Sequence, residues 1–535
     1  MIIFHNAKIY APERLTATAL AIDFGQVIAQ GSDDDILNGF SDSVARINLE
    51  GKTLWPGLTD SHFHIQHLAE AATMIDCETE TVDECLNRVR QAARNKPKST
   101  WVRGHGWNQN SWDGGFGNAK ILDSVSEGHP VFLTAKSLHA AWANSRALEL
   151  AGIDRHTQDP PDGAIQRDDQ GDPTGILFEN SATQMVQKII PQPDISELSS
   201  AFSDLFPKLW SVGLIGGHDF DGIDCWKALQ NIYQRGNLNF RIRKHIPFDH
   251  LDAFIQAGLR TNSGDERLNI GCVKLFADGA LGPQTAAMFT PYEGTTDQGI
   301  LLLTEKAILE IGTHAVSNGI GLSIHAIGDR AIHTVLNAFE KLRVYEQEHN
   351  LPHLQHRIEH VQTIASEDIP RLVELDIIAS VQPVHAPSDM ETADQFLGDR
   401  AKNTYMFRSF LQAGANLIFG SDAPVESHNP FYGIHAAVTR RRLNGDPGKE
   451  GWHPEQRLTL PEALKGFTSA PYETIGQDFK CGKIKTGYHA DFLILTSDPF
   501  MLDTHQLGSI RPEATFIDGT CLYQSASSVL DLQIR

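Results

Sequence analysis

Short apolar segments alternate with polar segments of helical periodicity along most of the chain. Eight apolar segments have the length of a buried strand, and helical patterns such as residues 305–318 and 331–345 lie between the later ones. The eight are residues 56–64, 213–218, 241–246, 272–276, 320–325, 357–360, 377–382 and 417–420. Because strands that alternate with helices form parallel sheets, and eight such units close on themselves, the pattern predicts an α/β fold with a (β/α)8 TIM barrel over residues 55–479.

The two ends of the chain have a different pattern. Residues 1–54 and 480–535 contain short strand-like segments broken by turn residues. We expect the two ends to pair into one small β-sandwich domain. Residues 65–212, between the first two barrel strands, are far longer than one crossover helix and predict an insertion subdomain. Because active sites of such barrels lie at the carboxyl ends of the strands, we expect the insertion over that mouth.

Composition limits the class of partner. The formal net charge of −22 disfavours nucleic acid and anionic membranes, and no apolar run approaches the roughly 20 residues that span a bilayer. The first residues lack the basic segment of a secretory signal, and the six cysteines show no paired spacing, which is typical of reduced thiols. We therefore expect a cytoplasmic protein that acts on a small molecule, without nucleic-acid or membrane partners.

Residue types that bind metal ions stand at the ends of the predicted strands. His62 and His64 are two positions apart on the first strand, so both side chains point to one side. Each candidate also has an ordinary structural alternative: a strand-end histidine can bond a carbonyl, Asp422 can cap the next helix, and Lys274 can pair with Asp278. Their order along the barrel favours a shared site. The candidate ligands are His62, His64, Lys274, His325, His360 and Asp422.

Five sequence motifs, in their order along the chain, resemble those of the amidohydrolase superfamily of metal-dependent hydrolases. The residues of these motifs are similar to those of the YtcJ-like or AepA-like branch, which includes N-substituted formamide deformylases. The motifs are residues 56–64, 273–282, 325–331, 357–362 and 420–425. The resemblance implies a Zn2+ ion on His62, His64 and Asp422. His325 and His360 would hold a second ion or contact the substrate.

The resemblance also implies a reaction. Metal-activated hydroxide would hydrolyse a non-peptide C–N bond in an amide or formamide, with Asp422 as general base and His325 as the second catalytic side chain. Lys274 would carry a CO2-derived carbamate that bridges two ions, or remain a charged pocket residue in a single-metal centre. Mn2+, Fe2+ or Co2+ are alternatives to Zn2+. A cyclic amide, carbamate or ester substrate, or a non-catalytic regulatory or binding protein on the same scaffold, remains open. The oligomeric state is also open, with a homodimer among the options.

Further residues are candidates for substrate binding and support of the ligands. Trp107, His139 and Glu179, all in the insertion, are predicted to contact the substrate. The alternatives are that Trp107 belongs to the core of the insertion and that Glu179 is a surface carboxylate. Asp278 and Asp329 follow the fourth and fifth strands and are predicted to orient the metal ligands.

Overall fold

The computed structural model describes residues 1–10, 17–97, 100–107, 112, 115–135, 140–160, 163–475 and 480–532. His139 lies outside these ranges. Within them, no helix combines the length and the apolar character needed to cross a membrane.

The chain begins with a four-stranded sheet and one short helix. Phe24 and Gly25 both have positive φ, the conformation of a tight two-residue hairpin turn, and they join the third and fourth strands. The sheet order is β4-β3-β1-β5. The elements of this region are β1 (Ile2–His5), β2 (Lys8–Ile9), β3 (Ala19–Asp23), β4 (Gln26–Gly31), α1 (Asp33–Gly39), β5 (Ala45–Asn48) and β6 (Thr53–Pro56).

The insertion forms a compact unit of its own, Leu68–Glu197. Its six-stranded sheet has the order β12-β13-β11-β10-β9-β8 and packs on an apolar core that contains Trp107 and Trp142. That this unit covers the mouth of the barrel stays a prediction. The elements from the first barrel strand onward are β7 (Leu58–Phe63), α2 (Ile65–Thr73), β8 (Ile75–Asp76), α3 (Val82–Asn95), β9 (Val102–Trp107), α4 (Ala119–Asp123), β10 (Val131–Ala135), β11 (Ala140–Ala143), α5 (Ser145–Leu150), β12 (Ala164–Arg167), β13 (Pro173–Phe178) and α6 (Glu179–Gln187).

The larger unit contains the predicted barrel. All eight expected strands form, and they pair in parallel in chain order from β7 through β14 to β20. Its further elements are α7 (Ile195–Ser211), β14 (Leu214–Asp219), α8 (Ile223–Gln234), β15 (Arg241–Pro247), α9 (Leu251–Gln256), β16 (Leu268–Phe276), α10 (Glu305–Ser317), β17 (Leu322–Ala326), α11 (Asp329–Glu348), β18 (His356–His360), α12 (Ile369–Glu374), β19 (Ile377–Val381), α13 (His385–Leu397), α14 (Phe407–Ala413), β20 (Asn416–Phe419), α15 (Pro430–Thr439), α16 (Leu460–Phe467) and α17 (Ala470–Glu473).

Backbone hydrogen bonds join the last strand of the barrel to the first. The Asp422 N–H donates to the His62 carbonyl oxygen at 2.7 Å, and the His64 N–H donates to that of Ala423 at 2.9 Å. The segment after β20 is therefore held directly beside the end of β7. This closure brings candidate ligands from opposite ends of the barrel sequence together.

The chain ends pair with each other, as expected. β21 (Phe492–Leu495), β22 (Ala514–Ile517) and β23 (Thr520–Gln524) extend a sheet of order β2-β6-β21-β22-β23, in which β21 runs antiparallel to β6. Phe4 from the first sheet packs against Phe492 and Phe516, with ring centroids 5.3 and 5.5 Å away. The two sheets thus share one apolar core.

Candidate metal centre

The strand ends of the barrel surround one cavity of about 370 Å³. Because all eight strands are parallel, their carboxyl ends meet at the same mouth. The six ligands expected from the sequence all line this cavity. They are His62, His64, Lys274, His325, His360 and Asp422.

Three ligand atoms converge at the junction of β7 and the segment after β20. Nε2 of His62 lies 3.6 Å from Oδ1 of Asp422, and Nε2 of His64 lies 3.4 Å from the same oxygen. Asp422 has a φ of 59°, an uncommon conformation for a residue other than glycine. The helix-cap alternative for Asp422 is wrong, because the next helix begins at Pro430.

Hydrogen bonds at the opposite ring nitrogens orient both histidines. Nδ1 of His62 bonds Glu359 at 2.6 Å, and Nδ1 of His64 bonds Asp221 at 2.9 Å. When Nδ1 of a neutral ring donates its hydrogen, the lone pair lies on Nε2, which here faces Asp422. Histidine ligands of metal ions are commonly held in this way, so these three residues fit a divalent cation.

His325 and His360 form a second pair, with ring centroids 4.6 Å apart. Nε2 of His325 donates to the carbonyl oxygen of Gly279 at 2.9 Å, which leaves the lone pair on Nδ1. Nδ1 of His360 bonds Oε1 of Gln382 at 2.9 Å, which leaves the lone pair on Nε2. Each ring therefore has one fixed nitrogen and one nitrogen available to a ligand.

The charge of His64 differs from that of His62 and His325. Burial lowers the pKa of His62 and of His325 to about 4, so both rings are neutral at physiological pH. At His64, burial also opposes protonation, but hydrogen bonds to Asp221 and Asp422 outweigh it and raise the pKa to about 10. In the absence of a cation, the His64 ring is therefore protonated at neutral pH and faces the Asp422 carboxylate.

Lys274 occupies an aromatic environment. Its Nζ lies 4.4 Å from the ring centroid of Phe220 and 4.9 Å from that of Phe276. Burial lowers the pKa of Lys274 to about 8. A substantial fraction of the amine is therefore neutral near physiological pH, which is the form that reacts with CO2.

Asp278 supports the loop beside His325. Oδ1 of Asp278 lies 3.7 Å from Nε2 of His325. The carboxylate accepts three backbone N–H groups, those of Ala287, Ile327 and Gly328. The carboxylate of Asp278 therefore bonds to backbone N–H groups, whereas the structural alternative expected an ion pair between Asp278 and Lys274. Asp329 accepts the N–H of Phe289 at 2.8 Å at the start of α11 and does not line the cavity.

Two of the predicted substrate residues of the insertion, Trp107 and Glu179, lie within the described residues. Trp107 is buried in the core of its own unit, and its Nε1 donates to the carbonyl oxygen of Leu133 at 2.9 Å. Glu179 is exposed at the start of α6. His139 lies outside the described residues. A substrate role for these three stays a prediction.

Sequence reasoning missed the charged residues behind the candidate ligands. Arg357 and Glu359 form a buried ion pair inside the barrel, and Arg357 also donates to the carbonyl oxygen of Ser61 at 2.8 Å. Asp221 similarly lies behind His64. Charged residues within otherwise apolar strand segments were the available signal, since such groups need partners.

Comparisons with known proteins agree with this geometry. A model of the amidohydrolase family matches residues 45–523. The chain belongs to the amidohydrolase family. This amidohydrolase is 31% identical to the putative amidohydrolase YtcJ of Bacillus subtilis, over 98% of this chain and 99% of that protein. It is 28% identical to the N-substituted formamide deformylase of Arthrobacter pascens, over 99% of each chain.

A solved structure has the same fold. The crystal structure of an uncharacterized metal-dependent hydrolase from Pyrococcus furiosus superposes with a TM-score of 0.77 at 27% identity, covering 93% of this chain and 99% of that chain. The expected superfamily, fold and hydrolase class are thereby confirmed. The identity of the metal, the substrate, the location and the oligomeric state stay predictions.

Proposed function

We propose that this amidohydrolase hydrolyses a non-peptide C–N bond, in an amide or formamide, with Zn2+ held by His62, His64 and Asp422. The observation that supports it best is the convergence of both Nε2 atoms on Oδ1 of Asp422, at 3.6 and 3.4 Å. The A. pascens relative, named for deformylation of N-substituted formamides, favours a formamide within this class.

The proposed chemistry divides between the cation and the side chains. A divalent cation at this position lowers the pKa of water and polarises a carbonyl group. Asp422 is ionised, because the hydrogen bond from His64 and the neighbouring rings outweigh burial and hold its pKa well below the usual range. Its carboxylate accepts the proton of the attacking water as the O–C bond forms. It then returns that proton to the nitrogen as the C–N bond breaks, giving an acid and an amine.

Lys274 and the second histidine pair complete the proposal. A neutral Lys274 amine would form an N–C bond with CO2 and lose a proton, which would convert the amine into an anionic carbamate whose oxygens could bind two ions. His325 and His360 would then supply ligand nitrogens for the second ion, through the ring atoms left without hydrogen bonds to the protein.

Turnover of a substrate panel tests the proposed function. Zn2+-loaded protein is incubated with N-alkyl and N-aryl formamides and with cyclic amides, carbamates and esters, and the acid, amine or alcohol formed from each is measured. We expect formamide hydrolysis, and a loss of roughly 10²–10⁴-fold in kcat for Asp422→Asn. His349→Gln, at an exposed position at the end of α11, is the matched control. Hydrolysis of esters alone would reject the proposed bond, and full activity of Asp422→Asn would reject its role.

A further inference from the structure

The cavity contains a fifth histidine that the proposed ligand set does not use. His385 is the first residue of α13 and lines the cavity beside His360 and Asp422. Ligand atoms of these three residues lie within 4.8 Å of one another. The rings of His385 and His360 are nearly parallel, with an interplanar angle of 14° and centroids 6.4 Å apart. His385 is therefore within reach of the same bound molecule as Asp422.

The hydrogen bonding of His385 differs from that of the strand-end histidines. His62, His64, His325 and His360 each have one ring nitrogen fixed by a protein partner. Nε2 of His385 is buried and has no partner in the described part of the chain. Because histidine ligands of metal ions almost always have their second nitrogen fixed, His385 lacks the support that the other four share.

We infer that His385 binds the substrate at the acyl oxygen of the reacting amide, and that it does not hold a cation. The inference rests on the proposed function. The imidazole of His385, which lines the cavity, can give a hydrogen bond to that oxygen through its ring N–H, and such a bond strengthens as negative charge develops there. The position of His385 beside Asp422 places the acyl oxygen and the attacking water in one cavity.

Formate is the probe that tests the inference, because it carries acyl oxygens and is the product of formamide hydrolysis. Metal content and the Kd for formate are measured for Zn2+-loaded wild type, His385→Ala and His385→Gln. We expect unchanged metal content and formate binding at least about tenfold weaker in His385→Ala. Partial recovery is expected in His385→Gln, whose side-chain amide still donates. His349→Gln should match the wild type. With an active formamide, kcat of His385→Ala should fall by about 10²-fold with a smaller change in KM.

Several results would overturn the inference. Loss of zinc from His385→Ala would make His385 a ligand. Equal formate affinity in wild type and His385→Ala, or no formate binding by the wild type, would remove the acyl-oxygen contact. Absence of turnover on every formamide counts against the proposed function alone, because the metal and formate measurements do not depend on turnover.

Discussion

Replacing Glu359 with glutamine is expected to lower both stability and cation affinity. The Glu359 carboxylate accepts hydrogen bonds from His62 at 2.6 Å, from Ser323 at 2.5 Å and from the guanidinium of Arg357. Arg357 is only 2% exposed, so glutamine leaves its charge buried without a counter-charge. Removing one partner of a buried pair costs about 3–5 kcal/mol. Removing the carboxylate behind a ligand histidine typically lowers metal affinity about 10–100-fold.

The pH dependence follows from the ionisation of Glu359. Burial opposes the charged form, but the charge of Arg357 outweighs it and holds the pKa of Glu359 well below its usual range. A carboxyl group with a depressed folded pKa stabilises the protein fully above its unfolded pKa of about 4.3 and loses this contribution on acidification. The difference between wild type and Glu359→Gln should therefore be constant near neutral pH and shrink below about pH 4.

Urea unfolding of the metal-free proteins measures the stability change, and calorimetric zinc titration measures the affinity change. Glu305→Gln is the matched control, because Glu305 pairs with Lys341 at the surface, where the Lys341 side chain is 60% exposed. Exposed pairs contribute less than about 1 kcal/mol. A Glu359→Gln protein within about 1 kcal/mol of the wild type, with unchanged zinc affinity, would refute the reasoning.

Two further predictions concern proton exchange in the cavity. Zinc binding at neutral pH should release about one proton from His64, whose pKa is about 10, and none from His62, whose pKa is about 4. Because zinc displaces this proton, zinc affinity should rise with pH. Calorimetry in buffers of different protonation enthalpy counts the protons, and a count of zero would contradict this. At a fixed concentration of dissolved CO2, reactivation of metal-free protein by added zinc should be faster above pH 8 than below, because Lys274 with its pKa of about 8 must be neutral to react with CO2. A CO2 response that persists in Lys274→Met would exclude the carbamate.

The barrel and the convergence of the candidate ligands on one cavity were predictable because both depend on local pattern. Apolar segments between helical segments define the strands, and parallel strands bring their carboxyl ends to one mouth. His62 and His64 needed only the two-residue repeat of a strand. The chain-end pairing likewise followed from strand-like segments at both termini, which β6 and β21 join.

The remaining features depend on contacts that sequence spacing does not encode. Glu359 meets His62 across the barrel, although 297 positions separate them in the chain. The Ser-Asp-Ala-Pro segment at Asp422 is typical of a helix start, but closure of the barrel holds it against His62 in a positive-φ conformation. His385 lies on a helix after the seventh strand, where only the fold places it beside Asp422.

Metal content is the measurement that tests the central claim most directly. Wild type and a His62→Ala/His64→Ala double variant are purified without added metal, and bound metal is counted by elemental analysis. The proposed centre predicts at least one equivalent of divalent cation in the wild type and a loss of about one equivalent in the double variant. A wild type that neither retains nor takes up a divalent cation, or a double variant with undiminished metal, would contradict a cation held by His62, His64 and Asp422.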